Sequence, residues 1–270
     1  QANNRLDQLD HLNNVQKQQL QSQITQSSDI AAVNGHKQTA ESLNTAMGNL
    51  INAIADHQAV EQRGNFINAD TDKQTAYTTA VNEAEAMINK QTGQNANQTE
   101  VEQAITKVQT TLQALNGDHN LQVAKTNATQ AIDALTSLND PQKTALKDQV
   151  SHAELVTGVN AIKQNADALN NAMGTLKQQI QANSQVPQSV DFTQADQDKQ
   201  QAYNNAANQA QQIANGTPTP VLTPDTVTQA VTTMNQAKDA LNGDEKLAQA
   251  KQDALANLDT DRKSTRLNSS

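Results

Sequence analysis

Apolar residues recur at alternating intervals of three and four along two stretches of the chain, Val33 to Ile54 and Val159 to Ile180. This heptad spacing predicts one apolar stripe along a helix of at least 22 residues, ~33 Å long at 1.5 Å per residue. Because such a helix is too long for one small bundle, we predict that each is shared by two. The stripe residues are Val33, His36, Ala40, Leu43, Met47, Leu50 and Ile54, and Val159, Ile162, Ala166, Leu169, Met173, Leu176 and Ile180.

The two stripes belong to a longer internal repeat with a period of 126 residues and no insertion or deletion. Ala46-Met47-Gly48 matches Ala172-Met173-Gly174, Ala76-Tyr77 matches Ala202-Tyr203, and Leu115-Asn116-Gly117-Asp118 matches Leu241-Asn242-Gly243-Asp244. This period is several times longer than a solenoid repeat, so each unit must contain more than one supersecondary piece.

Turn residues indicate where the helices of one repeat begin and end. The motif Leu115-Asn116-Gly117-Asp118 predicts a helix that ends with Gly117 at C′, followed by a helix that Asp118 caps. We expect this second helix to reach Leu138. The turn Asn139-Asp140-Pro141 then predicts a short helix with Asp140 as its N-cap, ending near His152. With the first part of the long helix, these two helices make one small bundle.

A second kind of bundle follows the first. Phe192 precedes a helix whose inner face carries Tyr203 and small residues such as Ala206. The sequence Gly216-Thr217-Pro218-Thr219-Pro220 breaks that helix, and Thr223-Pro224-Asp225 begins the next. These two helices and the distal half of the long helix predict an Ala-rich three-helix bundle.

The sequence therefore predicts an all-α fold of tandem three-helix bundles that share long connecting helices and form an elongated rod. From the helix lengths we expect ~120 Å of rod. A scattering radius of gyration near ~18 Å, the value for a compact globule of this length, would contradict it. The predicted modules are a truncated first-type bundle at 1–40, second-type bundles at 33–117 and 159–243, a first-type bundle at 118–166, the first helix of another module at 244–260, and an appended tail at 261–270.

Composition excludes several classes of function. The chain has two Phe, two Tyr and no Trp, which predicts thin cores. Its net charge is −9, and the repeats contain no Lys/Arg cluster, so nucleic acid is not an expected partner. The apolar runs are far shorter than the ~20 residues of a membrane-spanning helix, so no membrane insertion is expected. The absence of Cys excludes disulfides and thiolate metal sites.

Two histidines are the strongest candidates for a chemical site. His36 stands on the stripe where the second repeat has Ile162, and a ligand or pH-sensing role is conceivable. No second His or carboxylate lies within a turn on that face, so we favour a partly buried structural role. His57 and Glu61 have the i,i+4 spacing that can hold a metal ion, but they follow the end of the stripe, and we favour a solvated pair.

The remaining candidates are aromatic and sulfur side chains. Phe66 with Tyr77, and Phe192 with Tyr203, could stack on a ligand, but each Phe precedes the helix that carries the Tyr, which favours a hydrophobic anchor. Met47 and Met173 lie on the stripe as core residues. Slim bundles also offer little concavity. We therefore predict no catalytic, cofactor-binding or metal site and no enzymatic activity.

With these residues placed, the chain resembles the Ebh family of giant staphylococcal surface proteins over roughly residues 1–260. Val159-Asn160-Ala161-Ile162-Lys163 and the preceding helices look like a GA module, the three-helix albumin-binding type. Phe192 through Leu241 looks like a FIVAR module. The resemblance implies a cell-wall-associated, extracellular stalk of a Gram-positive bacterium. It also implies adhesion to matrix proteins, notably fibronectin, and a role in the integrity of the envelope.

Two other functions compete with this one. A dedicated albumin- or immunoglobulin-binding module needs an exposed apolar patch. The second helix, Gln142 to Val150, has no aromatic residue, and we expect the bundle core to use its apolar residues, which argues against albumin. An intracellular coiled-coil scaffold would form dimers. Stripes that are satisfied inside each bundle predict a monomeric rod instead, and sedimentation analysis separates these two.

Overall fold

The computed structural model describes residues 1–269, which form α-helices and short connections without any strand. They divide into two compact units: residues 1–123 with Glu154–Val156, and residues 124–153 with those from 157 onward. The helices are α1 (Ala2–Asp7), α2 (Asn14–Thr25), α3 (Ile30–Ile54), α4 (His57–Glu61), α5 (Gly64–Ile67), α6 (Thr71–Ile88), α7 (Gln98–Gln113), α8 (Gly117–Asp133), α9 (Asp140–His152), α10 (Val156–Ala182), α11 (Val190–Thr193), α12 (Gln197–Asn215), α13 (Pro224–Asp239) and α14 (Gly243–Ser269).

In the first unit, one helix serves two bundles. The helix α3 contacts α1 and α2 of one bundle and α6 and α7 of the next. Its stripe residues enter one continuous apolar core that extends from Leu6 to Leu115. Tyr77 is the largest fully buried side chain of that core. The predicted long helix is confirmed, and its burial follows the heptad positions. The buried stripe residues of α3 are Ala40, Leu43, Met47, Leu50 and Ile54.

In the second unit, α10 runs without interruption through the predicted stripe from Val159 to Ile180. The Asn170 side chain accepts a 2.9 Å hydrogen bond from the Ser137 N–H, in the connection before α9. The Asn165 side chain donates a 2.9 Å bond to the Leu222 carbonyl, just before α13. This helix is therefore also shared by two bundles. Its buried stripe residues are Val159, Ala166, Leu169, Met173 and Leu176.

The short helices α2 and α9 begin with capping boxes. The Asn139 side chain accepts from the Gln142 N–H at 2.9 Å, and the Gln142 side chain accepts from the Asn139 N–H at 3.1 Å. Asn13 and Gln16 do the same for α2. The prediction of Asp140 as N-cap is therefore wrong by one residue. With Asp140 as cap, the third helical position would be Lys143, whose ammonium group cannot accept the reciprocal bond.

The helix before α9 is shorter than predicted. The helix α8 ends at Asp133, whereas the sequence pattern predicts that it reaches Leu138. Tertiary contacts hold the chain that follows: the Lys143 ammonium donates to the Asp133 carbonyl at 2.9 Å. Leu138 is buried from within the connection. Leu138 therefore packs into the core at the spacing expected for a helix, although the backbone there is no longer helical.

Gly117 and Gly243 are not C′ residues, contrary to the prediction. Each is the first residue of the following helix, α8 or α14, and neither has a positive φ. A Cβ on Gly117 would collide with the backbone carbonyls of Gly64 and Asn65, and one on Gly243 would collide with those of Val190 and Asp191. Close packing of two backbones therefore explains these glycines. The left-handed C-cap is Gly216, at φ 78°, where the sequence predicts a break.

The last helix continues beyond its predicted end. Residues 261–269 extend α14, whereas the sequence predicts a tail from Asp261; Ser270 lies outside the described residues. No Gly or Pro occurs in this stretch to stop a helix. Leu258 on α14 is 64% exposed, while Ile132, its counterpart in the preceding repeat, is fully buried.

Candidate functional site

His36 and His57 occupy different environments. His36 is half-buried on α3, as predicted. His57 joins two carboxylates, because its Nδ1 lies 3.3 Å from the Glu61 Oε1 and its Nε2 lies 3.0 Å from the Glu85 Oε1. The i,i+4 pair was predicted from spacing, but Glu85 comes from α6, and no local pattern indicates it. The His57 side chain is 24% exposed, so this pair is more sheltered than predicted.

The His57 contacts connect helices and do not converge on a common point. Each ring nitrogen faces a different glutamate, which is the geometry of a bridge between α4 and α6. Within residues 1–269, no three His, Asp or Glu side chains are grouped so that they could hold a metal ion. The open groove of about 440 Å³ between α10 and α13 is lined by Ala, Asn, Thr, Pro and Val side chains, so it presents no titratable group for acid–base chemistry.

The two aromatic pairs pack inside their bundles. The ring centroids of Phe66 and Tyr77 are 6.1 Å apart, and those of Phe192 and Tyr203 are 5.9 Å apart, both edge to face. Burial raises the pKa of the Tyr77 hydroxyl, and the charges of Asp56 and Glu61 raise it further. Burial also raises the pKa of Tyr203. Tyr77 and Tyr203 are buried, and Phe66 and Phe192 are half-buried against them, so each pair anchors its bundle.

The two tyrosines differ in one hydrogen bond, which leads to a matched prediction. The Tyr203 hydroxyl donates to the Asn183 carbonyl at 3.2 Å, whereas the buried Tyr77 hydroxyl has no partner among the described residues. We expect Tyr203→Phe to lower the free energy of unfolding by about 1 kcal/mol, and Tyr77→Phe to leave it unchanged or raise it by about 1 kcal/mol. Urea unfolding of both variants measures this difference. Equal losses in the two variants would contradict it.

Buried polar side chains connect the bundles within each unit, and sequence reasoning missed this role. The Asn13 amide donates to the Met87 and Gln94 carbonyls at 3.0 and 2.9 Å. Gln16, fully buried, donates to the Ala96 carbonyl at 3.0 Å. Asn139 and Gln142 make the equivalent bonds in the second unit. The repeated Asn-x-x-Gln pattern could have indicated this role. In such a capping box the side-chain oxygens accept hydrogen bonds from the backbone, and the side-chain NH2 groups can donate to other residues.

Polar contacts also surround the start of α8. The Asn65 side chain accepts from the Asp118 N–H at 2.9 Å. Hydrogen bonds from Asn116 and then Asn120 lower the pKa of the Asp70 carboxyl below its usual value. In the second unit, hydrogen bonds from Lys246 and then Asn242 lower the pKa of Asp196. In both units an ionised carboxylate therefore accepts hydrogen bonds from side chains at the start of the next helix.

The surface that would bind albumin in a GA module offers little apolar area here. Leu146 and Val150, the large apolar residues of α9, are 0% and 1% exposed. The prediction that the bundle core uses them is confirmed. On α2 the exposed large apolar residue is Val15. Among the described helices, none is both long enough and apolar enough to cross a bilayer.

Two family models match the chain in alternation. The FIVAR domain matches residues 46–116 and 172–242, and the GA module matches residues 1–46 and 118–172. Neither is an enzyme family. The alternation follows the bundles described above, and each boundary at residue 46 or 172 falls inside a long shared helix.

Relatives of high identity extend this match. The extracellular matrix-binding protein EbhA of Staphylococcus aureus strain Newman is 75% identical over 94% of this chain, and the protein ebh of strain MRSA252 is 74% identical over the same share. The chain spans 7% and 2% of their lengths. A crystal structure of an EbhA domain from S. aureus superimposes with a TM-score of 0.71 at 34% identity, covering 78% of this chain and 84% of that one. The chain therefore belongs to the Ebh family, as an adhesin-type repeat of GA and FIVAR modules.

Proposed function

We propose that this segment is a structural spacer of a bacterial cell-surface stalk that also binds host extracellular matrix weakly and repeatedly. The observation that carries the spacer role is the sharing of α3 between two bundles: it contacts α1 and α2 as well as α6 and α7. A helix common to two bundles leaves no flexible linker between them. Force applied to one bundle is then carried into the next by helical backbone.

The matrix role draws support from the family. Relatives at 74–75% identity are named as extracellular matrix-binding proteins. For this chain we propose fibronectin as the matrix ligand, an extracellular, cell-wall-associated location, and a contribution to envelope integrity. The apolar residues of α9 are used by its own core, so each repeat has little surface for tight binding. Weak sites gain strength through repetition in a long chain.

The alternative is a dedicated albumin- or immunoglobulin-binding module. Its GA match at residues 118–172 is the observation in its favour. Against it stands the burial of Leu146 and Val150, which removes the apolar anchors that such an interface needs.

One binding experiment tests the function. The chain would be measured against fibronectin and serum albumin, first as a soluble monomer and then displayed densely on beads. We expect monomeric binding to fibronectin weaker than ~1 μM and a gain of roughly 10²-fold or more on dense display, because linked sites bind with high effective concentration. A scrambled-sequence helical protein at equal density is the control.

Two outcomes would contradict the proposal. Beads that retain no more fibronectin than the scrambled control would remove the matrix role. Monomeric binding to albumin at micromolar affinity or tighter would favour the alternative function.

A further inference from the structure

The helix α10 begins without a capping side chain of its own. Its first residue is Val156, and the preceding residue is Leu155, which has no hydrogen-bond acceptor in its side chain. In the first repeat the corresponding residue is Asp29, whose carboxylate accepts from the Ala32 N–H at 2.7 Å and caps α3. Helix starts generally need such an acceptor, because their first N–H groups have no partner within the helix.

A residue far away in the sequence satisfies the start of α10. The Asn68 side-chain oxygen accepts from the Val156 N–H at 2.8 Å, and its amide donates to the Glu154 carbonyl at 3.0 Å. Asn68 is 9% exposed. Its two side-chain groups thus bond to backbone atoms only two residues apart, on either side of the position where the cap is missing.

Asn68 is itself held in place by its neighbours. Its backbone carbonyl accepts from the Asn120 side chain at 2.9 Å, and that side chain also donates to Asp70 at 2.9 Å. Asn65, in α5, contacts the start of α8, because its side chain accepts a hydrogen bond from the Asp118 N–H. The segment at residues 64–70, which comprises α5 and the connection to α6, therefore contacts two helix N-termini of the chain that follows it.

We infer that the segment at residues 64–70 is a docking surface for helix starts, and that Asn68 is the N-cap of α10, supplied from another module. The partner that this surface fits is a helix whose own N-cap position carries an apolar residue, as Leu155 does. The Asn68 side chain accepts a hydrogen bond from the first N–H of such a helix and donates one to the carbonyl two residues before it. A helix that caps itself, as α3 does through Asp29, does not need this contact.

The equivalent segment of the second repeat makes one of these two helix-start contacts. The residue equivalent to Asn68 is Gln194, which is exposed, while Asp191 keeps the role of Asn65 by accepting from the Asp244 N–H at 3.1 Å. The second repeat therefore keeps the contact to the start of α14 and has Gln where the first repeat has the capping Asn.

Hydrogen exchange of the whole chain tests the inference at the atoms involved. We expect Asn68→Ala to speed exchange of the first-turn amides of α10 by about five-fold or more, the factor that corresponds to losing an N-cap. Gln194→Ala, the matched control, should leave those amides unchanged. Amides in the middle of α6 should keep the parent's protection in both variants, which shows that the first unit remains folded.

A rescue variant separates capping from a general structural role. Leu155→Asp places an acceptor where Asp29 stands in the first repeat. We expect the double variant Asn68→Ala/Leu155→Asp to recover slow exchange at the start of α10. Unchanged exchange in Asn68→Ala, equal acceleration in Gln194→Ala, or failure of Leu155→Asp to restore protection would each overturn the inference.

Discussion

Leu176→Pro is expected to lower the free energy of unfolding of the second unit by about 5–8 kcal/mol. Leu176 is fully buried on α10, between the Asn170 contact to one bundle and the Gln179 contact to Asn235 on α13. Proline removes a helical hydrogen bond and clashes with the preceding turn, at about 3 kcal/mol or more. Loss of the buried leucine adds about 2–5 kcal/mol. Since a domain of this kind has about 5–15 kcal/mol in total, the variant should be largely unfolded there.

The control for this prediction is Leu176→Ala. It removes the same side chain and keeps the helical backbone, so we expect a loss of about 2–5 kcal/mol. Chemical denaturation followed by circular dichroism measures both. The excess loss in the proline variant isolates the contribution of the continuous helix. Melting curves of Leu176→Pro that overlay those of the parent would show that the shared helix does not support the two bundles.

Gly117→Ala is expected to destabilise the first unit by about 1–3 kcal/mol, although alanine favours helices more than glycine does. Gly117 is buried at the start of α8, and a Cβ there would overlap the carbonyl oxygens of Gly64 and Asn65. These are backbone atoms of the short helix α5, so they cannot move aside as the end of a flexible side chain would. The strain should appear as a lower denaturation midpoint.

Gly35→Ala is the matched control for Gly117→Ala. Gly35 lies within α3 and is exposed, and a Cβ added to it would have no neighbouring heavy atom within 4 Å outside its own helix backbone. The same substitution should therefore stabilise the protein by about 0.5–1 kcal/mol through helix propensity alone. Changes of the same sign in the two variants would show that close backbone packing at Gly117 is not the reason for the glycine.

The long helices and their buried faces could be predicted because the information is local. Positions three and four residues apart share a helix face, so the stripe from Val159 to Ile180 specifies both the helix and the side that is buried. The break at Gly216 and the anchoring of Tyr77 followed from similar short-range patterns. Because both repeats have the same spacing, the long helix and the Phe–Tyr anchor were each predicted twice.

The helix ends were predicted less well, because neighbouring residues compete to be the cap. At Asn139-Asp140-Pro141, either of the first two residues can cap a helix, and Gln142 decides in favour of Asn139 by completing the box. Gly117 has the composition of a helix terminator, yet its reason is contact with a turn more than 50 residues earlier, as the Asn65–Asp118 separation of 53 residues shows. The local sequence shows which residues are able to cap or end a helix. It does not show which distant part of the chain packs against them.

The sequence by itself determined that this chain is helical, which faces are buried, and that one helix must serve two bundles, because periodicity acts over a few residues and shows directly which side chains lie together. Only the tertiary structure decided which distant groups meet: Glu85 beside His57, and Asn68 at the start of α10, 88 residues away. Such hydrogen bonds depend on which distant parts of the backbone the fold brings close together. No spacing along the chain encodes that position, so a cap missing at Leu155 could be noticed in the sequence but its replacement could not.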